Sequence, residues 1–364
     1  MSEIKCVIFT TDKKDFFALK DELPYKITNS FPFINAYGAS VSLCEISKLK
    51  HNKLIRAVSS HTTVKTCSNN NNIYYPHQNP ELTPYYEKNN FGQGISVAVI
   101  DTGICPHVDF LMPRNRLIFH DFIDRIKTPY DDNGHGTAVA SIIASNGLTS
   151  SKKFQGIAPR ANIIALKAIS NNGEGGAFKI LEAMQWIYQN RKKNNIRVVC
   201  MSFGAEAVTD GVDPLAEGAS ALWKAGITVI ASAGNSGSGE KTITSPGISN
   251  DIITVGGACR NDKGENHPCE FSSRGPVGKF TKPDIIAHAK NIATLDCKGD
   301  CSFQTGTSMS APIVASACVL MLQKNPKLTP NRVKELLLIN AKSLPYSKNE
   351  VGHGLLSLDF IEDI

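Results

Sequence analysis

With 364 residues, 41% of them hydrophobic, the chain is long enough for one large globular domain plus a smaller one and too apolar for wholesale disorder. Lys and Arg exceed Asp and Glu by 39 to 33, but the formal +6 is scattered. Its strongest run, Arg191-Lys192-Lys193, reads as the end of a solvated helix, which argues against a nucleic-acid partner.

The N-terminus turns charged at Asp12-Lys13-Lys14-Asp15 before a secretory signal could form, and no stretch is apolar enough to span a membrane. The ten cysteines are dispersed, so they read as reduced thiols in a cytoplasmic chain. Cys297 and Cys301 are close enough for a small loop disulfide, and no Cys/His set has the spacing of a zinc site.

The first sixty or so residues predict a β-α-β-β-α-β unit: strands at Cys6–Phe9, Tyr25–Thr28, Phe33–Val41 and Leu54–Ser59, and helices at Phe16–Leu19 and Cys44–Lys50. An exposed linker follows, from Cys67 through the asparagine run 69–72 and Pro76 to Pro80. The expected division is a small α+β unit over residues 1–66, a linker and chain start over 67–91, and the main domain over 92–364. In the main domain, strand candidates at Ile95–Ile100, Ile163–Ala168, Val198–Ser202, Thr228–Ala233 and Ile252–Val255 alternate with helical patterns at Phe178–Tyr188, Pro214–Lys224, Met309–Gln323 and Asn331–Ile339. Several strands have no polar face, as strands covered on both sides require. The alternation predicts an α/β fold with a doubly wound, mostly parallel sheet, whose functional residues gather at the carboxyl ends of the strands.

Three segments carry chemistry. Val97-Ala98-Val99-Ile100 delivers Asp101 at the end of a buried strand, with Gly103 allowing a sharp turn. Gly134-His135-Gly136-Thr137 places a histidine between glycines at the start of a helix, where a second chain can approach the imidazole. Gly306-Thr307-Ser308-Met309 places a serine at the start of a long apolar helix, whose unpaired N–H groups and dipole favour an oxyanion. Each alone reads equally well as a cap or turn. Together they supply nucleophile, base, orienting acid and oxyanion donors, the set acyl transfer to serine needs.

In that order the three segments resemble the active-site signatures of the subtilisin family of serine proteases. The resemblance runs from about Gly92 to the C-terminus, and its fold is the doubly wound sheet expected above. It implies a catalytic set of Asp101, His135 and Ser308, with Asn235 of Ala231-Ser232-Ala233-Gly234-Asn235-Ser236-Gly237 as oxyanion donor. Ser202-Phe203-Gly204 and Ala231, Ser232, Ala233 and Gly234 then form the walls of the primary specificity pocket, whose small residues leave room for a large apolar side chain. Gly173, Glu174 and Gly175 resemble the edge segment that pairs with extended substrate.

Protein or peptide substrates are therefore expected. Residues 1–66 resemble the family's inhibitory propeptide, an intramolecular partner whose C-terminal strand runs through the cleft, with self-cleavage between about Thr63 and Asn72. No cofactor is required. Calcium, bound by many secreted relatives, has one matching carboxylate here, Asp109, but Ser145–Gln155 does not resemble their calcium loop. Ala138, Ser141, Ser310 and His288-Ala289 depart from the family's usual residues. A rival reading keeps the fold as a catalytically silent pseudoprotease acting as a regulatory binding protein, although no triad member is missing. A dinucleotide-binding oxidoreductase is set aside for want of a glycine fingerprint.

Overall fold

The computed structural model describes residues 4–22, 27–49, 51–60, 63–65, 73–208 and 211–364. Its N-terminal unit comprises β1 (Ile4–Thr10), α1 (Lys13–Glu22), β2 (Ile27–Phe31), β3 (Ala36–Val41), α2 (Leu43–Leu49) and β4 (Ile55–Ser60), the expected element order. The strands form an antiparallel sheet in the order β2-β3-β1-β4. Strand β1 has no polar face in its second half because both faces are covered. Cys6 and Ile8 pack with Phe16, Leu19 and Tyr37 in the unit's own core, while Val7 and Phe9 point the other way with Phe31 into the main core.

A short strand β5 (Thr63–Lys65) and helix α3 (Thr83–Glu87) lead into the main sheet. The first half of the main domain contains β6 (Ser96–Asp101), α4 (Val108–Leu111), β7 (Leu117–Asp121), α5 (His135–Ala144), β8 (Asn162–Lys167), β9 (Glu174–Gly176) and α6 (Ala177–Asn190). There follow β10 (Ile196–Met201), β11 (Gly204–Ala205), α7 (Pro214–Lys224), β12 (Thr228–Ser232), β13 (Ile253–Arg260) and β14 (Asn266–Pro268). The chain ends with β15 (Ile285–His288), β16 (Ile292–Leu295), β17 (Cys301–Gln304), α8 (Thr307–Lys324), α9 (Pro330–Ile339) and α10 (Lys348–Val351).

The large sheet runs β14-β13-β12-β10-β6-β8-β7, with β15 also on β13. All its pairings are parallel except β13 with β14. Later strands are added on both sides of β6, so the order reverses there and a crevice opens at its carboxyl end, where Asp101 sits. Helices α5 and α8 pack on one face, α6 and α7 on the other. The N-terminal sheet docks on α6 and α7: the Phe31 and Phe178 rings meet at 6.1 Å, and Asn29 Nδ2 donates to Glu182 Oε1 at 2.6 Å.

The cysteines correct the sequence reading. Cys105 is bonded to Cys297 and Cys259 to Cys269, where reduced thiols were expected. Cys301, close enough in sequence to pair with Cys297, is free. The β16–β17 pairing sets Cys301 opposite Leu295, leaving Cys297 in the turn beside the loop that follows Asp101. A partner 192 residues away is set by the tertiary fold and leaves no trace in local spacing.

Candidate active site

Asp101 is the last residue of β6, 1% exposed, and His135 is the first residue of α5. Their carboxylate and imidazole meet at 2.8 Å, Asp101 Oδ1 to His135 Nδ1. The approach depends on glycine: a Cβ at Gly136 would lie 2.3 Å from the Gly103 carbonyl oxygen, so only a bare backbone lets the two loops close. Burial opposes charge on the ring, but the Asp101 carboxylate, its hydrogen bond and Asp131 nearby outweigh that and hold the His135 pKa above the ordinary histidine value.

Asp131 was not singled out from the sequence, yet it organises this corner. Its Oδ1 accepts from Thr102 Oγ1 and Gly134 N, both at 2.8 Å, and its Oδ2 from Thr137 N at 2.8 Å and Thr137 Oγ1 at 2.6 Å. One buried carboxylate thus caps the helix that carries His135 and ties it to the residue after Asp101. Lys167, fully buried at the end of β8, donates to the Thr102 carbonyl and Asp132 Oδ1, both at 2.6 Å. The signal for Lys167 was a charged residue inside an otherwise apolar buried strand.

Ser308 is the second residue of α8 and is buried. Its hydroxyl donates to the Ser202 carbonyl at 2.8 Å. Ser202 follows β10, whose Met201 pairs with Ile100, so the serine lies one strand across from Asp101. His135 Nε2 and Asp101 Oδ2, both buried, have no hydrogen-bond partner among the described residues. The imidazole therefore presents an uncommitted ring nitrogen.

Asn235 Oδ1 accepts from Thr307 N at 3.0 Å and Thr307 Oγ1 at 2.9 Å. With the oxygen taken, the side chain presents Nδ2, a donor, to the cavity it lines with Ser308. Gly204, Ser232 and Gly234 line that cavity too. The side chains of Phe203 and Ala231 lie in the hydrophobic core instead, because neighbouring residues of a strand covered on both faces cannot all face one pocket. Thr244 lines the cavity and was not singled out from the sequence.

Residues 63–65 run between the edge expected to pair with extended substrate and the segment that follows the expected pocket wall at Ser202. Val64 pairs with Gly175 on one side and Ala205 on the other, and Lys65 with Glu174 and Gly204, all antiparallel. Gly173 makes the turn ahead of this edge with φ of +76°. Asp109 accepts from Ser145 Oγ at 2.8 Å and from Thr149 N at 3.0 Å, so protein donors occupy the carboxylate. Among the described residues no three His, Cys, Asp or Glu side chains cluster as metal ligands. Two departures from the usual pattern have jobs: Ser141 Oγ receives Leu295 N at 3.0 Å, and Ser310 Oγ donates to the Ala287 carbonyl at 2.9 Å.

A doubly wound sheet carrying a carboxylate–imidazole pair at its switch point, with a serine at a facing helix start, defines the class of subtilisin-like proteins. Residues 92–354 match Peptidase_S8, the subtilase family, and the chain belongs to that family. It is 41% identical over 272 residues to the serine protease AprX of Bacillus subtilis, a match covering 68% of this chain and 61% of AprX. It is 31% identical over 268 residues to subtilisin Savinase of Lederbergia lenta, covering 74% of this chain and 90% of that protein. The fold of fervidolysin from Fervidobacterium pennivorans, a keratinolytic enzyme related to subtilisin, superposes with a TM-score of 0.80 at 19% identity, covering 100% of this chain and 61% of fervidolysin. The chain thus spans about 61% of the length of both AprX and the fervidolysin chain.

Proposed function

We propose that the chain is a serine endopeptidase. The observation that carries this reading is the buried Asp101–His135 pair at 2.8 Å with its second ring nitrogen unpartnered, on a helix that packs against the one opened by Ser308. Ser308 Oγ attacks the scissile carbonyl while His135 Nε2 takes its proton. The tetrahedral oxyanion is held by Asn235 Nδ2 and the Ser308 N–H. His135 then returns the proton to the leaving amine, and water enters by the same route to release the acyl group. Asp101 orients the ring and stabilises its charged form. Asp109 is satisfied by Ser145 and Thr149, which argues against its use as a calcium ligand.

The N-terminal unit acts on this reading as a built-in inhibitor. Strand β5 fills the place between β9 and β11 where an extended substrate would add as a strand. Self-processing falls between about Thr63 and Asn72, of which only 63–65 lie within the described residues. Protein and peptide chains are the substrates, and neither nucleic acid nor membrane is a partner. Among the described residues no helix is long and apolar enough to cross a membrane.

Intact mass spectrometry with and without a fluorophosphonate probe, beside Ser308→Ala, tests the reading. Loss of an N-terminal fragment and probe addition at Ser308, both absent from the variant, are expected. A wild-type chain that neither labels nor matures, even after removal of residues 1–70, would establish the silent pseudoprotease instead. The expected cytoplasmic location is tested by alkylation of protein taken from its source. Free thiols at Cys105, Cys297, Cys259 and Cys269 support it, whereas intact bonds assign an oxidising compartment.

A further inference from the structure

The two disulfides differ in what can reach them. Cys259 and Cys269 are both buried, 7% and 0% exposed, in a small core cluster with Ala289. Cys105 is buried to the same degree, but its partner Cys297 is exposed and lines the cavity of about 510 Å³ beside His135. A thiol arriving from solvent therefore meets one sulfur-bearing residue of this bond at the cleft and neither of the other bond.

What the bond joins gives its position a use. Cys105 ends the turn that follows Asp101, where its N–H donates to Thr137 Oγ1 at 3.0 Å and Thr137 Oγ1 donates to Asp131. Cys297 stands at the tip of the β16–β17 hairpin, which runs on into α8 and Ser308. The tip folds on itself: Asp296 Oδ1 accepts from Lys298 N at 2.8 Å and from Asp300 N at 2.9 Å, and Asp296 N donates to the Asp300 carbonyl at 2.9 Å. None of these bonds reaches the Asp101 loop. Beyond the close packing of Gly299 on the His107 ring, the disulfide is the tie between tip and loop. Leu295, Ser302 and Gln304 of the hairpin line the same cavity as Asp131, Asp132 and His135, so the bond holds one part of its lining in place relative to the other.

We propose that Cys105–Cys297 is a redox latch on the cleft, opened by a dithiol reductant while Cys259–Cys269 stays closed. One thiolate of the reductant attacks Cys297 Sγ; the bond to Cys105 breaks, and Cys105 Sγ leaves with the electron pair and takes up a proton. The second thiol of the reductant then displaces Cys297, so two electrons pass to the protein and the reductant ends as its own disulfide. Exposed disulfides are the ones such exchange reaches first, and burial protects the others. Asp131 holds the Asp101–His135 pair through hydrogen bonds that do not involve the disulfide, so opening the latch loosens the substrate-facing hairpin and not the acid–base pair. The regulatory consequence rests on the endopeptidase reading, whereas the selectivity of the reduction does not.

The test treats the matured enzyme with graded dithiothreitol under native conditions. Alkylation with mass spectrometry identifies the freed cysteines, and peptide turnover is measured on sites titrated with fluorophosphonate. Cys105 and Cys297 should become alkylated while Cys259 and Cys269 remain joined. KM should rise by roughly fivefold or more with a much smaller change in kcat, and oxidised glutathione should reverse it. The double variant Cys105→Ser/Cys297→Ser should start with the raised KM and ignore dithiothreitol, whereas Cys259→Ser/Cys269→Ser should keep the response. Should either variant fail to fold, the wild-type titration decides alone. A Cys105–Cys297 bond that resists dithiothreitol as long as Cys259–Cys269 does, or that opens with KM unchanged, overturns the latch and leaves the peptidase reading intact. A chain that neither labels nor cleaves in either redox state overturns the peptidase reading and the regulation with it.

Discussion

The two sides of the cleft are built differently. On the Asp101–His135 side the groups are locked: Asp131 takes four hydrogen bonds of 2.6 to 2.8 Å from Thr102, Gly134 and Thr137, and Lys167 holds the carbonyl after Asp101 from below. On the Ser308–Asn235 side the same economy is missing. Ser308 rests on a backbone carbonyl instead of on His135, and Asn235 is anchored by its oxygen while its amide nitrogen faces the cavity. The Asp101–His135 pair is thus preorganised by buried polar contacts, whereas on the proposed mechanism Ser308 must leave the Ser202 carbonyl to reach it. Fixing the pair in advance lowers the reorganisation required in the transition state, which is where such electrostatic sites gain most.

The largest effect should come from breaking the locked side. Asp101→Asn keeps the size of the side chain but can no longer hold Nδ1–H of His135 with a full charge, and it admits the wrong tautomer. On the order of a ten-thousand-fold loss in kcat is expected, the size seen when the corresponding acid of a serine protease is made an amide. Fluorophosphonate labelling rates and peptide turnover measure it. Turnover within tenfold of wild type would show that the pair at 2.8 Å does not serve catalysis.

The open side should be less costly to damage. On the proposed mechanism Asn235→Ala removes one oxyanion donor, and it leaves Thr307 without its acceptor. Loss of one such donor in a subtilisin costs about 2.7 to 4 kcal/mol of transition-state stabilisation, or 10²–10³ in kcat. Because the donor acts on charge absent from the ground state, kcat should fall while KM stays near its wild-type value. A rise in KM with kcat unchanged would remove Asn235 from the oxyanion site.

The same contrast explains what the sequence could and could not reveal. Asp101, His135 and Ser308 could be singled out because each lies in its own short glycine-bearing segment, and the strand carrying Asp101 and the helix carrying Ser308 were placed to within two residues. The groups that lock the site act over distance. Asp131 reaches back 29 residues to Thr102, and Lys167 reaches 65 to the same residue. Thr244 lines the cavity beside Ser308 only because the fold brings Gly204 and Gly234 close to it. Local pattern cannot report such contacts, since they are set by which strands become neighbours. The burial of the Phe203 and Ala231 side chains in the core was hidden for a related reason: a segment can be assigned to a wall, but which face each residue presents depends on the fold around it.

The smallest expected effect sharpens the comparison most, because a single proton on the locked side should move activity and stability in opposite directions. His135 must be neutral to accept the proton of Ser308, and its pKa is held above 6.5 by Asp101 and Asp131. The acid limb of kcat/KM should therefore lie above 6.5, with activity rising as the ring loses its proton. The stability linkage runs the other way. A group whose folded pKa exceeds its unfolded value contributes stability that is fully present below the unfolded value and is lost as pH rises through the folded one. Between these two values the enzyme should gain activity while Tm declines slightly. In the Asp101→Asn variant both changes should shift to lower pH, because the carboxylate that favours the charged ring is gone. Thermal melts and pH–rate profiles on the same preparations check the coupling. A Tm that rises across that window in wild type but not in His135→Gln would show that the buried pair does not favour the imidazolium, and the locked side would then need another source for its order.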